Sequence, residues 1–134
     1  MCRFGFFVFC AMLAGLSVEA HAKDYACNLK VSSSNKGAVP ETVFFRVQAG
    51  SNEVVVIDPF IKDVFEGPTK GHIEVNNADR IRIGWELPVR FGDNVTSNAQ
   101  YQLVLNKTSG KARLNVRFID FLNRYNGRGV CKGK

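Results

Sequence analysis

After residue 22, apolar and polar positions alternate with period two through most of the chain, as in strands that bury one face. Tyr25, Cys27, Leu29 and Val31 share one side of the first such segment, and Ala26, Asn28 and Lys30 share the other. Phe45 and Val47 oppose Arg46 and Gln48, and Ile73 and Val75 oppose His72 and Glu74. The clearest segment is 79–87, where Ile81, Ile83, Trp85 and Leu87 point one way and Arg80, Arg82 and Glu86 the other. Tyr101, Leu103 and Leu105 form the next inward face; Leu114, Val116 and Phe118 follow, against Arg113, Asn115 and Arg117. Val130 and Cys131 belong to a last strand. The β-branched run at 53–57 reads as a strand buried on both faces.

Turn chemistry separates these segments. Residues 106–111 read as a hairpin loop, with Gly110 free to take the left-handed conformation that a type I turn plus bulge requires. Residues 76–79 separate two strands, and 32–40 and 90–98 read as polar connections. At 58–68, Asp58 is placed to cap a helix, Pro59 to open it and Gly67-Pro68 to stop it. The piece is too short to hold a helix unaided, so the expectation is an extended segment with at most one helical turn. About eight short strands with hairpin-length connections predict an all-β fold, a single small antiparallel meander barrel. A β-sandwich is the alternative.

The N-terminus follows another pattern. Arg3 precedes an apolar run at 4–16, and Ala20-His21-Ala22 supplies the small residues a signal peptidase reads. Residues 1–22 are therefore expected to be a signal peptide, leaving residues 23–134 as a single β domain, periplasmic or secreted. The run is too short to span a bilayer, and no transmembrane segment is expected after it. The residues before Cys10, Phe7-Val8-Phe9, do not form a lipobox. Cys2 and Cys10 leave with the leader. Cys27 and Cys131 remain near the two ends of the mature chain and are expected to form one disulfide.

Catalytic constellations are scarce. His72 is the one histidine after the leader and sits on the polar side of its segment. With the cysteines paired, neither a Ser-His-Asp nor a Cys-His arrangement can be assembled. No zinc spacing or calcium loop is present, so neither metal nor cofactor is expected. Glu86, beside Trp85, is the carboxylate to inspect for acid–base work; as an outward residue it is expected to pair with a neighbouring Arg. The expected protein is not an enzyme.

Charge carries the functional content. The net charge is +6, and loss of Arg3 and Glu19 with the leader leaves it unchanged. Arg80, Arg82, Arg113 and Arg117 occupy outward positions, and Arg124, Arg128, Lys132 and Lys134 crowd the C-terminal end. The first four are expected to form an anion-binding patch, whose partner in an exported protein is an anionic envelope component or an acidic protein. Nucleic acid is not expected, since no basic motif is interleaved with stacking aromatics.

Several stretches together carry a resemblance. Residues 56–61 (Val-Ile-Asp-Pro-Phe-Ile), 82–87 (Arg-Ile-Gly-Trp-Glu-Leu), 101–112 and 125–131 (Tyr-Asn-Gly-Arg-Gly-Val-Cys) resemble a group of small exported proteins of alphaproteobacteria. That resemblance implies export and brings no site residues. More distantly, the layout is similar to that of the periplasmic inhibitors of c-type lysozyme, which carry a Ser-x-Ser-Gly-x-x-Tyr loop. Here residues 108–113 keep Ser109-Gly110 but lack the first Ser and the Tyr, so no inhibitor site carries over. The reading is a monomeric, non-enzymatic binding module with a basic outer face. A barrel carrier of an apolar ligand and a lysozyme-inhibitor-like protein are the alternatives.

Overall fold

A computed structural model describes residues 21–91 and 95–134. Residues 1–20, most of the expected signal peptide, lie outside the described residues. The elements run β1 (Ala22–Lys30), β2 (Thr42–Gln48), β3 (Glu53–Ile57), α1 (Pro59–Phe65), β4 (Thr69–Asn76), β5 (Arg80–Phe91), β6 (Val95–Asn106), β7 (Lys111–Phe118) and β8 (Arg124–Gly133). Strand β1 thus begins one residue ahead of the expected cleavage point, with Ala22 opposite Gln48. Each strand pairs antiparallel with the next, and β8 returns to pair with β1, so the sheet is the closed meander barrel expected from the alternation. Closure gives every strand a neighbour on both sides, which removes the two open edges of a flat sheet.

The closing seam carries the staple. Cys27 and Cys131 are direct cross-strand partners, with Cα atoms 3.9 Å apart, and form the expected disulfide. The bond therefore joins the first and last strands where the barrel meets itself.

The alternation fills the inside. Phe45, Ile83, Trp85, Leu103, Leu114 and Val116 are all buried in one continuous core. The rings of Trp85 and Tyr101 stack with centroids 5.4 Å apart, and those of Tyr25 and Phe45 at 4.8 Å. Strand β3 differs from expectation. Val54 and Val56 are fully buried, but Val55 is 42% exposed, because the other face of a barrel wall looks outward. There Val55 and exposed Phe44 line a mostly apolar groove of about 390 Å³.

The segment at 58–68 also differs. It forms α1, seven residues rather than one turn. Asp58 Oδ1 accepts hydrogen bonds from the backbone N–H groups of Phe60 and Ile61, each at 2.8 Å, and Pro59 occupies the first turn. The helix ends at Glu66, which takes the left-handed conformation (φ 60°) one residue before the expected Gly67. What holds so short a helix is tertiary contact: Ile61 is fully buried, and α1 packs against β5.

In a meander, alternate connections fall at the same end. The β1–β2 loop, α1, the β5–β6 turn and the β7–β8 loop therefore share one end of the barrel. Ile61 and buried Val39 belong to segments at this end, and Tyr101 Oη reaches up to 3.5 Å from the Ala38 carbonyl. The expected connection at 90–98 is largely strand. β5 and β6 stay paired from Arg80–Asn106 to Phe91–Val95, so this hairpin runs past the rest of the wall.

Candidate functional site

The outer faces of β7 and β8 build the site. Alternation places Arg113, Asn115 and Arg117 outward on β7 and Arg124, Asn126 and Arg128 outward on β8. The register then sets Arg113 opposite Arg128, Asn115 opposite Asn126 and Arg117 opposite Arg124. The motif Arg-x-Asn-x-Arg is thus spelled twice, at 113–117 and 124–128, and folded onto itself as a ladder with two arginine rungs and an amide rung between.

Two arginine rungs are an unfavourable way to build a sheet, since like charges directly opposite are destabilising. Among the described residues, none of these four arginines has a carboxylate in ion-pair range. Arg113 Nε donates to Asn115 Oδ1 at 3.1 Å. Carboxylates are engaged elsewhere. Arg46 grips both oxygens of Asp24, at 2.6 and 3.0 Å, and holds that carboxyl below its ordinary pKa. Lys36 pairs with Glu41 at 3.5 Å and Lys70 with Glu53 at 3.8 Å.

The ladder forms one bank of a groove of about 530 Å³ on the outer wall of β4–β8. Arg113, Arg117 and Arg124 stand on this bank with Asn115 and Asn126; Gln100 and Gln102 supply amides between the banks. The far bank carries Glu74 and Glu86 and is satisfied internally. Glu74 Oε2 lies 2.8 Å from Arg82 Nε and accepts from Gln102 Nε2 at 2.9 Å, while its Oε1 lies 3.2 Å from His72 Nε2. Gly84 makes room for this arrangement, because a Cβ there would stand 2.8 Å from His72 Nε2. Glu86 accepts from Gln100 Nε2 at 3.3 Å, where an arginine partner was expected. A second, more open groove of about 880 Å³ adjoins Arg113 and Arg128 and includes Lys30 and Lys111.

The four arginines expected to form a patch divide between two places. Arg113 and Arg117 stand on the ladder. Arg82 lies on β5, separated from Arg113 in the register by Val104, and is tied to Glu74. Arg80 is exposed at the start of β5, opposite Asn106. The rungs are completed by Arg124 and Arg128, which the sequence reading placed near the C-terminus without a strand register.

Inside the barrel, Asp58 Oδ2, Trp85 Nε1 and Ser97 Oγ are buried without a hydrogen-bond partner among the described residues. Burial raises the Asp58 carboxyl above its ordinary pKa, against the opposing effect of its two backbone donors. The Tyr101 phenol is raised as well, first by burial and then by the negative charge of Asp58. Among the described residues, no group of three or more His, Cys, Asp or Glu is placed to hold a metal ion, and none of the helices is long and apolar enough to cross a membrane. No family model, curated protein or solved structure matches the chain.

Proposed function

We propose that the chain is an exported, non-enzymatic binding module that captures an anionic partner on the β7–β8 arginine ladder. The observation that carries this reading is the pair of opposed arginine rungs with, among the described residues, no carboxylate in ion-pair range. An anion seated between two guanidiniums relieves their repulsion, and the guanidinium fork binds carboxylate or phosphate through two bonds at once. Export is supported by the N-terminal leader pattern and by a disulfide that oxidising compartments preserve. A surface site fits an interior occupied by Phe45, Trp85, Leu103 and Phe118 better than the apolar-carrier alternative does.

The test is calorimetric titration of the mature protein with dextran sulfate and with neutral dextran. The charged polymer should bind and the neutral one should not. Binding should weaken as salt shortens the screening length to about 8 Å or less. The variant with Arg113, Arg117, Arg124 and Arg128 all changed to Gln should lose it. Equal binding by variant and wild type, or no binding by either, overturns the proposal.

A further inference from the structure

We infer that the β7–β8 loop is a membrane-docking tip: Ile119 and Leu122 enter the interface of an anionic bilayer while the Arg117–Arg124 rung sits on lipid phosphates. This rests on the anion-binding reading of the ladder and names its partner.

The distribution of exposed apolar side chains leads to it. Nine large ones are exposed among the described residues, and six belong to segments at one end of the barrel. They are Val64, Phe65, Val95, Ile119, Phe121 and Leu122, and Leu122 is 100% exposed. Scattered apolar residues on a surface need no explanation, but a concentration at one end marks a contact surface. The loop is also held in place. Ile119 N–H donates to the Asn98 carbonyl at 3.0 Å, which fixes the start of the loop beside β6.

Charge separates the loop from the helix at the same end. Helix α1 carries Lys62 against Asp63, and Glu66 follows it, so its neighbourhood is not basic. The β7–β8 loop carries Asp120, but Arg117 and Arg124 flank it, and Arg90 stands on the adjoining hairpin. The loop is thus an apolar tip with a basic collar.

Its geometry follows the order of a bilayer interface. Leu122 precedes Arg124 by two residues, and Ile119 follows Arg117 by two. Two residues of extended chain span roughly 7 Å. Interfacial apolar groups bury to about 5–10 Å, which sets the rung at the level of the phosphates when the tip is inserted. A soluble polyanion would use the ladder and leave the tip in water. Each basic residue near an anionic surface contributes roughly fivefold in affinity.

The experiment uses phosphatidylcholine vesicles with and without phosphatidylglycerol, and Leu122→Trp as a reporter beside the buried Trp85. Fluorescence of the reporter should shift to the blue with the anionic vesicles and stay unchanged with the zwitterionic ones. Ile119→Ser combined with Leu122→Ser should weaken vesicle binding roughly tenfold while dextran sulfate binding stays at the wild-type level. Arg117→Gln with Arg124→Gln should weaken both. A bound reporter that does not shift, a serine variant that binds vesicles like wild type, or a wild-type protein that ignores anionic vesicles overturns the docking tip. Loss of dextran sulfate binding in the wild type is a separate result, and it overturns the ladder instead.

Discussion

Arg117 of β7 lies directly opposite Arg124 of β8, on the first rung below the β7–β8 loop. A cross-strand pair of like charge costs stability, and an opposite pair contributes about 0.2–1 kcal/mol. Changing Arg124→Glu should therefore raise the free energy of unfolding, measured by urea titration, by an amount in that range. The same change removes half of the rung and introduces a repelling carboxylate, so dextran sulfate affinity should fall several-fold. A variant that is less stable than wild type and still binds the polymer would show that the rung is neither strained nor used.

The Cys27–Cys131 bond spans a sequence separation of 104 residues. Closing so long a loop in the unfolded chain contributes about 4–5 kcal/mol in the chain-entropy account. Domains of this size have only about 5–15 kcal/mol of net stability. Reduction, or Cys27→Ala with Cys131→Ala, should bring denaturant unfolding to much lower concentration. Thiol labelling of the native protein without reductant should find no reactive cysteine. An unchanged midpoint after reduction would mean that the pairing of β1 with β8 closes the barrel unaided.

Trp85 occupies the middle of β5, 2% exposed and stacked on Tyr101 at an interplanar angle of 5°. Native fluorescence should be blue-shifted and should move to the red on unfolding. Trp85→Ala should destabilise by about 3–5 kcal/mol, the range for a buried large aromatic. Native emission at the wavelength of a water-exposed indole would contradict the inward placement.

The barrel was legible where apolar side chains mark the inner face of every second position, as in β1, β5, β6 and β7. It was least legible in β8, whose inner positions include Gly127 and Gly129. A Cβ at Gly127 would come within 3.0 Å of Val39 Cγ1, and one at Gly129 would overlap the Asn28 carbonyl. Close packing of neighbouring chain thus removed the side chains that reveal alternation, and the β8 half of the arginine ladder went unread with them. Pro88 and the polar composition of 90–98 hid the length of the β5–β6 hairpin in a different way. Pro88 is exposed at an outward position, opposite Asn98, and the strand continues through it. The cap and start of helix α1 were legible in Asp58 and Pro59, but its length was not, because what holds it is the burial of Ile61.

Asp58 links acidity to the end of the barrel that carries α1. Asp58 is 3% exposed, and its Oδ1 caps the helix while Oδ2 has no partner among the described residues. Burial raises its folded-state pKa above the ordinary 3.8, with its backbone donors acting the other way. The folded protein therefore binds this proton at a higher pH than the unfolded chain does. At neutral pH the buried charge is a cost to folding; the cost shrinks as pH falls through the folded value and is gone below the unfolded one. Asp24, lowered by Arg46, runs the opposite way and loses its contribution as pH falls. The difference between wild type and Asp58→Asn isolates the first effect, because the amide keeps the Oδ1 acceptor and carries no charge. That variant should gain on wild type at neutral pH, and the gap should close as pH falls toward 3.8. Asp58→Ala removes the cap as well and should cost about 0.5–2 kcal/mol at every pH relative to the Asn variant. A gap between wild type and Asp58→Asn that stays constant or widens on acidification would show that burial does not raise the pKa of this carboxyl.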